Sequence, residues 1–264
     1  MKLSLLKYCS ILFSALSLYS CEKVIDLELN EAPPEIVVEA VLKDSPGNNY
    51  IMLSYTSAVY TDQTFDKISN ADVKVTDKDG NEFVFTEDSY IPGFYHHNDF
   101  VVMPDNDYSL WIDVDGTIIT SQCHSFAKPE IDSIVYSLSP FAAATDSAYM
   151  IEYYSTDNET EVNHYRVRIY INGIEQREFY YIGNDDFING QNYNAPFFGA
   201  DAFKGDTIFI ELITLDKANY TYFYTLSSNE SNSTAPANPT SNIEGNAIGY
   251  FGAYTTDTMS VVIQ

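Results

Sequence analysis

Basic residues are scarce in this sequence of 264 residues. It contains 13 Lys and Arg against 38 Asp and Glu, so its formal net charge at pH 7 is −25. A chain this acidic repels the phosphates of nucleic acids and of anionic lipid surfaces. The composition therefore argues against nucleic acid as a partner, and it is typical of an exported protein kept soluble by a negative surface. Binding of cationic ligands is the alternative explanation of the same charge.

The sequence also lacks an apolar run long enough to span a bilayer as a helix. Its apolar N-terminal segment, Tyr8–Leu18, follows Lys2 and Lys7 and ends in small or polar residues. Basic residues followed by a short apolar stretch are the layout of a secretory signal peptide, which we place at residues 1–20. No membrane-spanning helix is predicted in the rest of the sequence.

The letters LYSC, which end at Cys21, resemble a bacterial lipobox. In a lipobox, a diacylglyceryl group is attached to the cysteine sulfur and the chain is cleaved just before that cysteine. We therefore predict that Cys21 is lipidated and that residues 21–34 form a tether. Several acyl chains on one cysteine anchor a protein stably, because each buried CH₂ contributes about 0.8 kcal/mol. The alternatives are a soluble secreted protein with an incidental cysteine, or a buried first strand.

Cysteine is rare as well, with three in the chain. Cys9 is removed with the signal peptide and Cys21 carries lipid, so Cys123 has no partner for an internal disulfide. Cys123 lies in the strand-like run GTIITSQCHSF, where we expect a small buried side chain rather than a nucleophile. Without disulfides the protein depends on hydrophobic cores, and its length suffices for one or two.

Sequence motifs of common enzyme classes are missing. There is no Gly-x-Ser-x-Gly elbow, His-Glu-x-x-His helix, Walker loop or dinucleotide fingerprint. Carboxylates are plentiful, but a carboxylate pair indicates a hydrolase only when a cleft and a spacing accompany it. We predict a protein that is not an enzyme, with no catalytic residues and no cofactor, and we keep a hydrolase as the least favoured alternative.

Two short segments contain side chains of metal-binding types. FYHHND offers His96, His97 and Asp99, but neighbours in a strand point to opposite faces, and two ligands on one face do not hold zinc. DKDGN, with Asp77 and Asp79, resembles the start of a calcium loop but is also hairpin-turn chemistry. We predict no metal site and interpret DKDGN as a turn, with calcium binding there as the open alternative.

Aromatic residues are abundant, with 22 Tyr and 16 Phe, and both types are enriched in β-strands. Roughly seven short strand-like runs separated by turns such as Asp-Gly occur between residues 35 and 128. They predict an N-terminal immunoglobulin-like antiparallel β-sandwich over 35–128. The predicted fold class is mainly β.

A second antiparallel β domain is predicted over residues 129–264. Its strand-like runs include a strong hairpin signal at Asn172-Gly173. After Asp216 the aromatic residues change to helical spacing, and Asp is a good residue to begin a helix. We therefore predict one α-helix near 217–228.

One segment of this second domain, DFINGQNYNAPFFGADAF, is rich in Gly, Asn and aromatic residues. Rigid aromatic side chains make large contact areas at a low entropic cost. We therefore interpret Tyr193, Phe197 and Phe198 as a candidate binding surface. The alternative is that these rings complete the core of the second domain. We expect Phe203 to be buried, and Tyr193 to be exposed because Asn residues flank it.

Several motifs follow one another in an order found in a known family. They are CEKVIDLEL after the lipobox, then PPEIVVEAVL, ADVKVTDKDG, NHYRVRIYING, FKGDTIFIELITLD and SNIEGNAIGYFGAY. From Cys21 to its C-terminus the chain resembles the Bacteroidota lipoprotein family catalogued as domain-of-unknown-function family 4249, which has no established biochemical activity. The resemblance implies an outer-membrane lipoprotein. Members are often encoded beside TonB-dependent transporters, which implies an accessory role with such a transporter.

Together these features predict a non-catalytic outer-membrane lipoprotein, anchored through Cys21. Its predicted role is to bind a ligand or to dock on a TonB-dependent transporter. The alternative from a different class is a structural or adhesive cell-surface protein that uses its β-sandwich as a spacer. Periplasmic and cell-surface orientations are both compatible with the sequence.

Overall fold

The computed structural model describes residues 33–57, 65–140, 148–177, 180–231 and 237–264. The predicted signal peptide, Cys21 and the tether up to residue 32 lie outside these residues. Pro34–Gln264 forms one compact unit. In the described parts of the chain, no helix is both long enough and apolar enough to cross a membrane.

The first sheet contains nine strands, numbered here in chain order: β1 (Ile36–Lys43), β2 (Tyr50–Tyr55), β3 (Asp72–Asp77), β4 (Glu82–Glu87), β5 (Phe94–His96), β6 (Asn106–Val114), β7 (Thr117–Ser125), β15 (Ile243–Glu244) and β16 (Ala247–Tyr254). Their order in the sheet is β15-β7-β6-β3-β4-β5-β2-β1-β16. The two ends of this order, β15 and β16, are consecutive in the chain. The two edges of the sheet are therefore brought together by consecutive strands, and the sheet curves around one interior.

That interior is the first hydrophobic core. Strand side chains alternate between faces, and on β1 the inward face carries Val38, Ala40 and Leu42, all fully buried. They pack in one cluster with Leu110 of β6 and Phe251 of β16, two strands that lie elsewhere in the same sheet. Burying each large apolar side chain contributes roughly 1.5–3 kcal/mol. The first sheet is thus held by contacts across its interior as well as by its hydrogen bonds.

The pairing of β1 with β16 corrects the predicted domain boundary. We predicted that 129–264 forms a separate second domain, whereas β16 runs parallel to β1 inside the first sheet. The approach is close at Gly249, which pairs with Val38: a Cβ at Gly249 would lie 1.9 Å from the Val38 carbonyl oxygen, and its φ is +125°. A glycine is required there. The C-terminal segment therefore completes the N-terminal sheet.

Two further sheets enclose the second core. One has five strands: β10 (His164–Ile171), β11 (Ile174–Glu175), β12 (Tyr181–Asn184), β14 (Thr207–Leu215) and β17 (Thr256–Val262). The other has three: β8 (Ile131–Leu138), β9 (Tyr149–Thr156) and β13 (Asn192–Ala202). Ile151 of β9 packs with Ile169 of β10 and Ile210 of β14, and all three are fully buried. The two sheets therefore face each other.

The predicted hairpins are confirmed. Asn172 and Gly173 have φ values of 52° and 80°, and Ile171 pairs with Ile174 across the turn. Asp115 and Gly116 do the same between β6 and β7, with φ values of 50° and 86°. Two successive positive φ values match the right-handed twist of the flanking strands, and Asn, Asp and Gly tolerate them best.

The single predicted helix is also confirmed. It is α1 (Lys217–Ser231), so it ends three residues later than predicted. Asp216 caps it, because its Oδ1 accepts a hydrogen bond from the backbone N–H of Asn219 at 2.7 Å. Phe223 is the most deeply buried aromatic side chain described on the helix, at 3 % exposed. It points into the space between the first sheet and the five-stranded sheet.

The predicted fold class, mainly β with one helix, is confirmed. Among the described strands, every pairing except β1 with β16 is antiparallel. The immunoglobulin-like topology stays a prediction. The first sheet is one continuous order of nine strands, and two of them, β15 and β16, come from beyond residue 128.

Candidate ligand-binding groove

The first sheet and the five-stranded sheet meet through their second faces. On β1, Val41 points away from the first core, and on β14, Ile213 and Leu215 point away from the second. These side chains form a third apolar cluster with Phe223 of α1 and Tyr254 of β16. Strands β1 and β14 are therefore buried on both faces near this junction. This explains the nearly continuous apolar run TIFIELITL in β14.

A groove of about 690 Å³ opens beside this third cluster. Its walls come from β1, β2, β10, β14, β16 and α1, and they alternate between aromatic rings and charged groups. Small-molecule sites in proteins are typically clefts of roughly 300–1,000 Å³ with apolar walls and a few placed polar groups. In size and composition the groove is of this kind.

Cationic side chains converge on the groove. Arg166, Arg168 and Arg177 are the three arginines of the whole sequence, and all three line it, together with Lys43. This concentration occurs in a chain whose net charge is −25. Arg166 and Arg168 lie on the face of β10 opposite Val167, which packs in the second core. The alternation RVR in one strand thus places both guanidinium groups on the groove side.

Arg168 is held by two carboxylates. Its Nε and Nη2 donate to Oε1 and Oε2 of Glu175 at 2.7 and 2.9 Å, and its Nη1 donates to Oε2 of Glu211 at 3.2 Å. Such two-point pairs are strong and fix the guanidinium plane. The hydrogen bond from Arg168 lowers the pKa of Glu175 from 4.5 to about 2. Arg168 is therefore part of the wall rather than a free binding group.

Glu211 joins the two halves of the groove. Its Oε1 accepts a hydrogen bond from Lys43 Nζ of β1 at 2.5 Å, while its Oε2 binds Arg168. The side chains of Lys43 and Glu211 are 15 % and 10 % exposed. Breaking a buried pair of this kind leaves an unpaired buried charge, which lowers the free energy of unfolding. The network therefore fixes the first sheet against β14.

Arg166 differs from the other cations. Its guanidinium carbon lies 4.3 Å from the centre of the Phe223 ring and 5.6 Å from that of Tyr180. In the described part of the chain no carboxylate lies within ion-pair distance of it. Cation–π contacts of this kind favour Arg but leave its N–H donors at the edge of the group. Arg166 thus presents a positive charge to the groove, with no counterion among the described residues.

Glu39 provides the anionic end of the groove. Its Oε1 accepts hydrogen bonds from the hydroxyls of Tyr50 and Tyr250, both at 3.2 Å. Burial, together with the charge of Glu39, raises the pKa of Tyr50. Burial raises the pKa of Tyr250 as well. Both hydroxyls therefore stay protonated and remain donors to Glu39.

The predicted aromatic surface is not a single surface in the structure. Asn192–Ala202 of this segment forms strand β13, paired with β9, and Phe197 is 3 % exposed in the second core. Tyr193 packs against the same core, and among the three predicted residues only Phe198, 57 % exposed, faces solvent. The expectation for Phe203 was also wrong, since it is 43 % exposed. In strand β13 neighbouring side chains point to opposite faces, so Phe197 and Phe198 face different surroundings. The Gly- and Asn-rich composition suggested a loop instead of a strand.

The side chains considered for metal binding make other contacts. His96 Nδ1 lies 3.1 Å from Asn98 Oδ1, and His97 packs against Phe83, Phe85 and Phe100. Within the described ranges, no group of three or more His, Cys, Asp or Glu is placed to hold a metal.

The DKDGN segment is a turn, as predicted. Asp77 Oδ1 accepts hydrogen bonds from the backbone N–H of Asp79 and Asn81 at 3.0 and 2.9 Å, and Oδ2 accepts one from the Asn81 side chain. These hydrogen bonds lower the pKa of Asp77, the one from the Asn81 side chain most. The expected burial of Cys123 is confirmed, and burial raises the pKa of its thiol.

Sequence reasoning missed the groove. A local signal did exist: HYRVRIY places two of the three arginines of the chain on one face of one strand. The groove also needs β1, β16 and α1, which lie far from β10 in the sequence. Their arrangement around β10 depends on long-range packing.

The comparison with curated proteins gave no match. A family model described as Domain of unknown function (DUF4249) matches residues 22–260. The match extends over the described strands from β1 to β16, and it therefore covers the residues of the groove. It agrees with the family resemblance seen in the sequence motifs. The chain belongs to the DUF4249 family.

Proposed function

We propose that this protein is a non-catalytic, lipid-anchored ligand-binding protein of the outer membrane that works with a TonB-dependent transporter. The observation that carries the binding role is the groove with the unpaired guanidinium of Arg166. The anchor is the proposed lipid on Cys21, from the lipobox. The transporter is proposed from the family resemblance.

The chemistry of the groove supports binding rather than catalysis. General acid–base catalysis near neutral pH needs a group that can exchange protons there, most often His or an activated carboxylate. The described residues lining the groove include no His, Cys or Asp. Glu175 is held as a carboxylate by Arg168, and Glu39 accepts hydrogen bonds from two tyrosines. The charged groups of the groove therefore suit fixed electrostatic recognition.

A structural or adhesive surface protein is the second candidate. Tyr90 and Phe187 are 91 % and 92 % exposed, and Phe198 is also largely exposed. Exposed aromatic rings favour contact with another surface. They are scattered over loops and one strand, whereas the groove gathers its charged and aromatic groups in one place. For this reason we favour ligand binding.

Affinity purification of a tagged full-length chain from membranes in mild detergent tests the proposed function. We expect an outer-membrane transporter to be recovered with the wild-type protein. Cys21→Ala is the matched control: it removes the proposed lipid, so the chain should leave the membrane fraction and recover much less transporter. Recovery of surface-assembly proteins without any transporter would favour the structural candidate instead.

A further inference from the structure

The unpaired guanidinium of Arg166 defines what the groove can bind. We infer that the groove takes a small organic monoanion, in which a flat apolar body carries one carboxylate that pairs with Arg166. This inference rests on the proposed function, because it names the ligand class of the same groove. The groove is about 690 Å³, which suits a small molecule rather than a folded partner.

The first step concerns the charge of Arg166. Arg166 is half-buried, and its side chain ends in a cationic guanidinium group. A partly buried charge without a counterion is unfavourable, and a ligand anion would supply the missing partner. No described carboxylate lies close enough to do so. The structure therefore favours an anionic group at this point.

The second step concerns geometry. Phe223 and Tyr180 lie within cation–π range of the Arg166 guanidinium, at 4.3 and 5.6 Å from its central carbon. Such contacts use the face of the guanidinium and leave its edge, where the N–H donors lie. Paired N–H donors match the two oxygens of a carboxylate in a two-point hydrogen bond. A flat two-oxygen anion is thus the group that Arg166 fits best.

The third step explains why one negative charge is expected. The other cations of the groove already have counterions: Arg168 pairs with Glu175 and Glu211, and Lys43 pairs with Glu211. Arg177 pairs with Glu175 as well. Counted together, four cations (Lys43 and the three arginines) meet three carboxylates (Glu39, Glu175 and Glu211), so one positive charge is left over. A second anionic group on the ligand would meet no free cation and would be repelled by Glu39.

The fourth step concerns the body of the ligand. Beyond Arg166 the walls are aromatic: Tyr50 stacks on Phe94 with ring centres 5.3 Å apart, and Tyr222 lies 4.8 Å from Tyr250. Ring surface of this kind favours a flat apolar group packed against it. The hydroxyls of Tyr50 and Tyr250 are used on Glu39. The walls therefore offer apolar surface to this part of the ligand.

Three naphthalene probes separate these requirements. Titration calorimetry of the detergent-solubilised full chain would use 2-naphthoate, the neutral 2-naphthylmethanol and the cationic 2-naphthylmethylammonium. We expect naphthoate to bind about 10- to 100-fold more tightly than the alcohol, since charged hydrogen bonds contribute that much. The cation should bind most weakly.

Variants locate the anion. Arg166→Gln should weaken naphthoate binding about 10- to 100-fold and leave the alcohol unchanged. Lys74→Gln is the matched control: Lys74 Nζ lies 5.7 Å from the centre of the Trp111 ring and does not line the groove, so we expect a change within about two-fold. If Arg166→Gln fails to fold, the comparison of naphthoate with the alcohol on the wild-type chain still decides.

Three results would overturn the inference. Equal affinity for naphthoate and the alcohol would leave a ligand-binding groove but reject the anion. Equal loss in Arg166→Gln and Lys74→Gln would attribute the loss to the change in net charge rather than to a contact with Arg166. Absence of binding by all three probes would reject the ligand class for this groove. The transporter purification is independent of these titrations, so the proposed function stands or fails separately.

Discussion

The guanidinium of Arg166 on β10 lies 4.3 Å from the centre of the Phe223 ring on α1. This contact joins the helix to the five-stranded sheet in the wall of the groove. Phe223 also packs 5.1 Å from the ring of Tyr250 on β16, so one aromatic side chain touches both halves of the groove. The helix therefore serves to place a ring between the two sheets.

Truncation of Phe223 tests this role. Phe223→Ala should lower the free energy of unfolding by about 3–5 kcal/mol, because a buried ring is replaced by a cavity. The neighbouring Tyr224, 54 % exposed, is the matched control, and Tyr224→Ala should cost less than about 1 kcal/mol. Urea denaturation measures both. Equal losses would mean that Phe223 is not the packing centre of the helix.

The adjacent residues Phe197 and Phe198 on β13 make a second matched pair. Phe197→Ala should cost about 3–5 kcal/mol of unfolding free energy, since this ring stacks on Tyr153 in the second core. Phe198→Ala should change stability by less than about 1 kcal/mol because its ring is in solvent. Thermal or urea melting distinguishes the two. A larger loss for Phe198 would reverse the assigned faces of β13.

The ion pair of Glu175 makes the free energy of unfolding depend on pH in the acidic range. Its pKa is lowered from 4.5 in the unfolded chain to about 2 in the folded protein, chiefly by the hydrogen bond from Arg168. A lowered pKa stabilises the folded state above pH about 4.5, and this contribution is lost as the pH falls towards about 2. Glu175→Gln should therefore flatten the stability–pH curve in this window, measured by urea unfolding. An unchanged slope would show that the ion pair does not form in solution.

Gly249 tests the parallel pairing of β1 with β16. Gly249→Ala would place a methyl group 1.9 Å from the Val38 carbonyl oxygen, at a φ of +125°. The strands must separate there, and we expect a loss of at least about 2–3 kcal/mol in unfolding free energy. Gly183→Ala on β12 is the control, because nothing lies within 4 Å of its added Cβ. An unchanged unfolding free energy in Gly249→Ala would argue against this register.

Features that depend on a few neighbouring residues were predicted from the sequence. The Asn172-Gly173 turn follows from the ease with which these residues adopt positive φ, and α1 begins where Asp216 can cap it. The Asp77 turn is of the same kind. In each case the chemistry that decides the structure lies within a few residues along the chain.

The return of β16 to β1, the placement of Phe197 and Phe198, and the groove were decided by tertiary structure. Period-two alternation says that neighbouring side chains point to opposite faces, but it does not say which face another sheet will cover. Arg166 and Arg168 could equally have faced solvent. They line a groove because β1, β16 and α1 pack over that face of β10, and such contacts join residues far apart in the sequence.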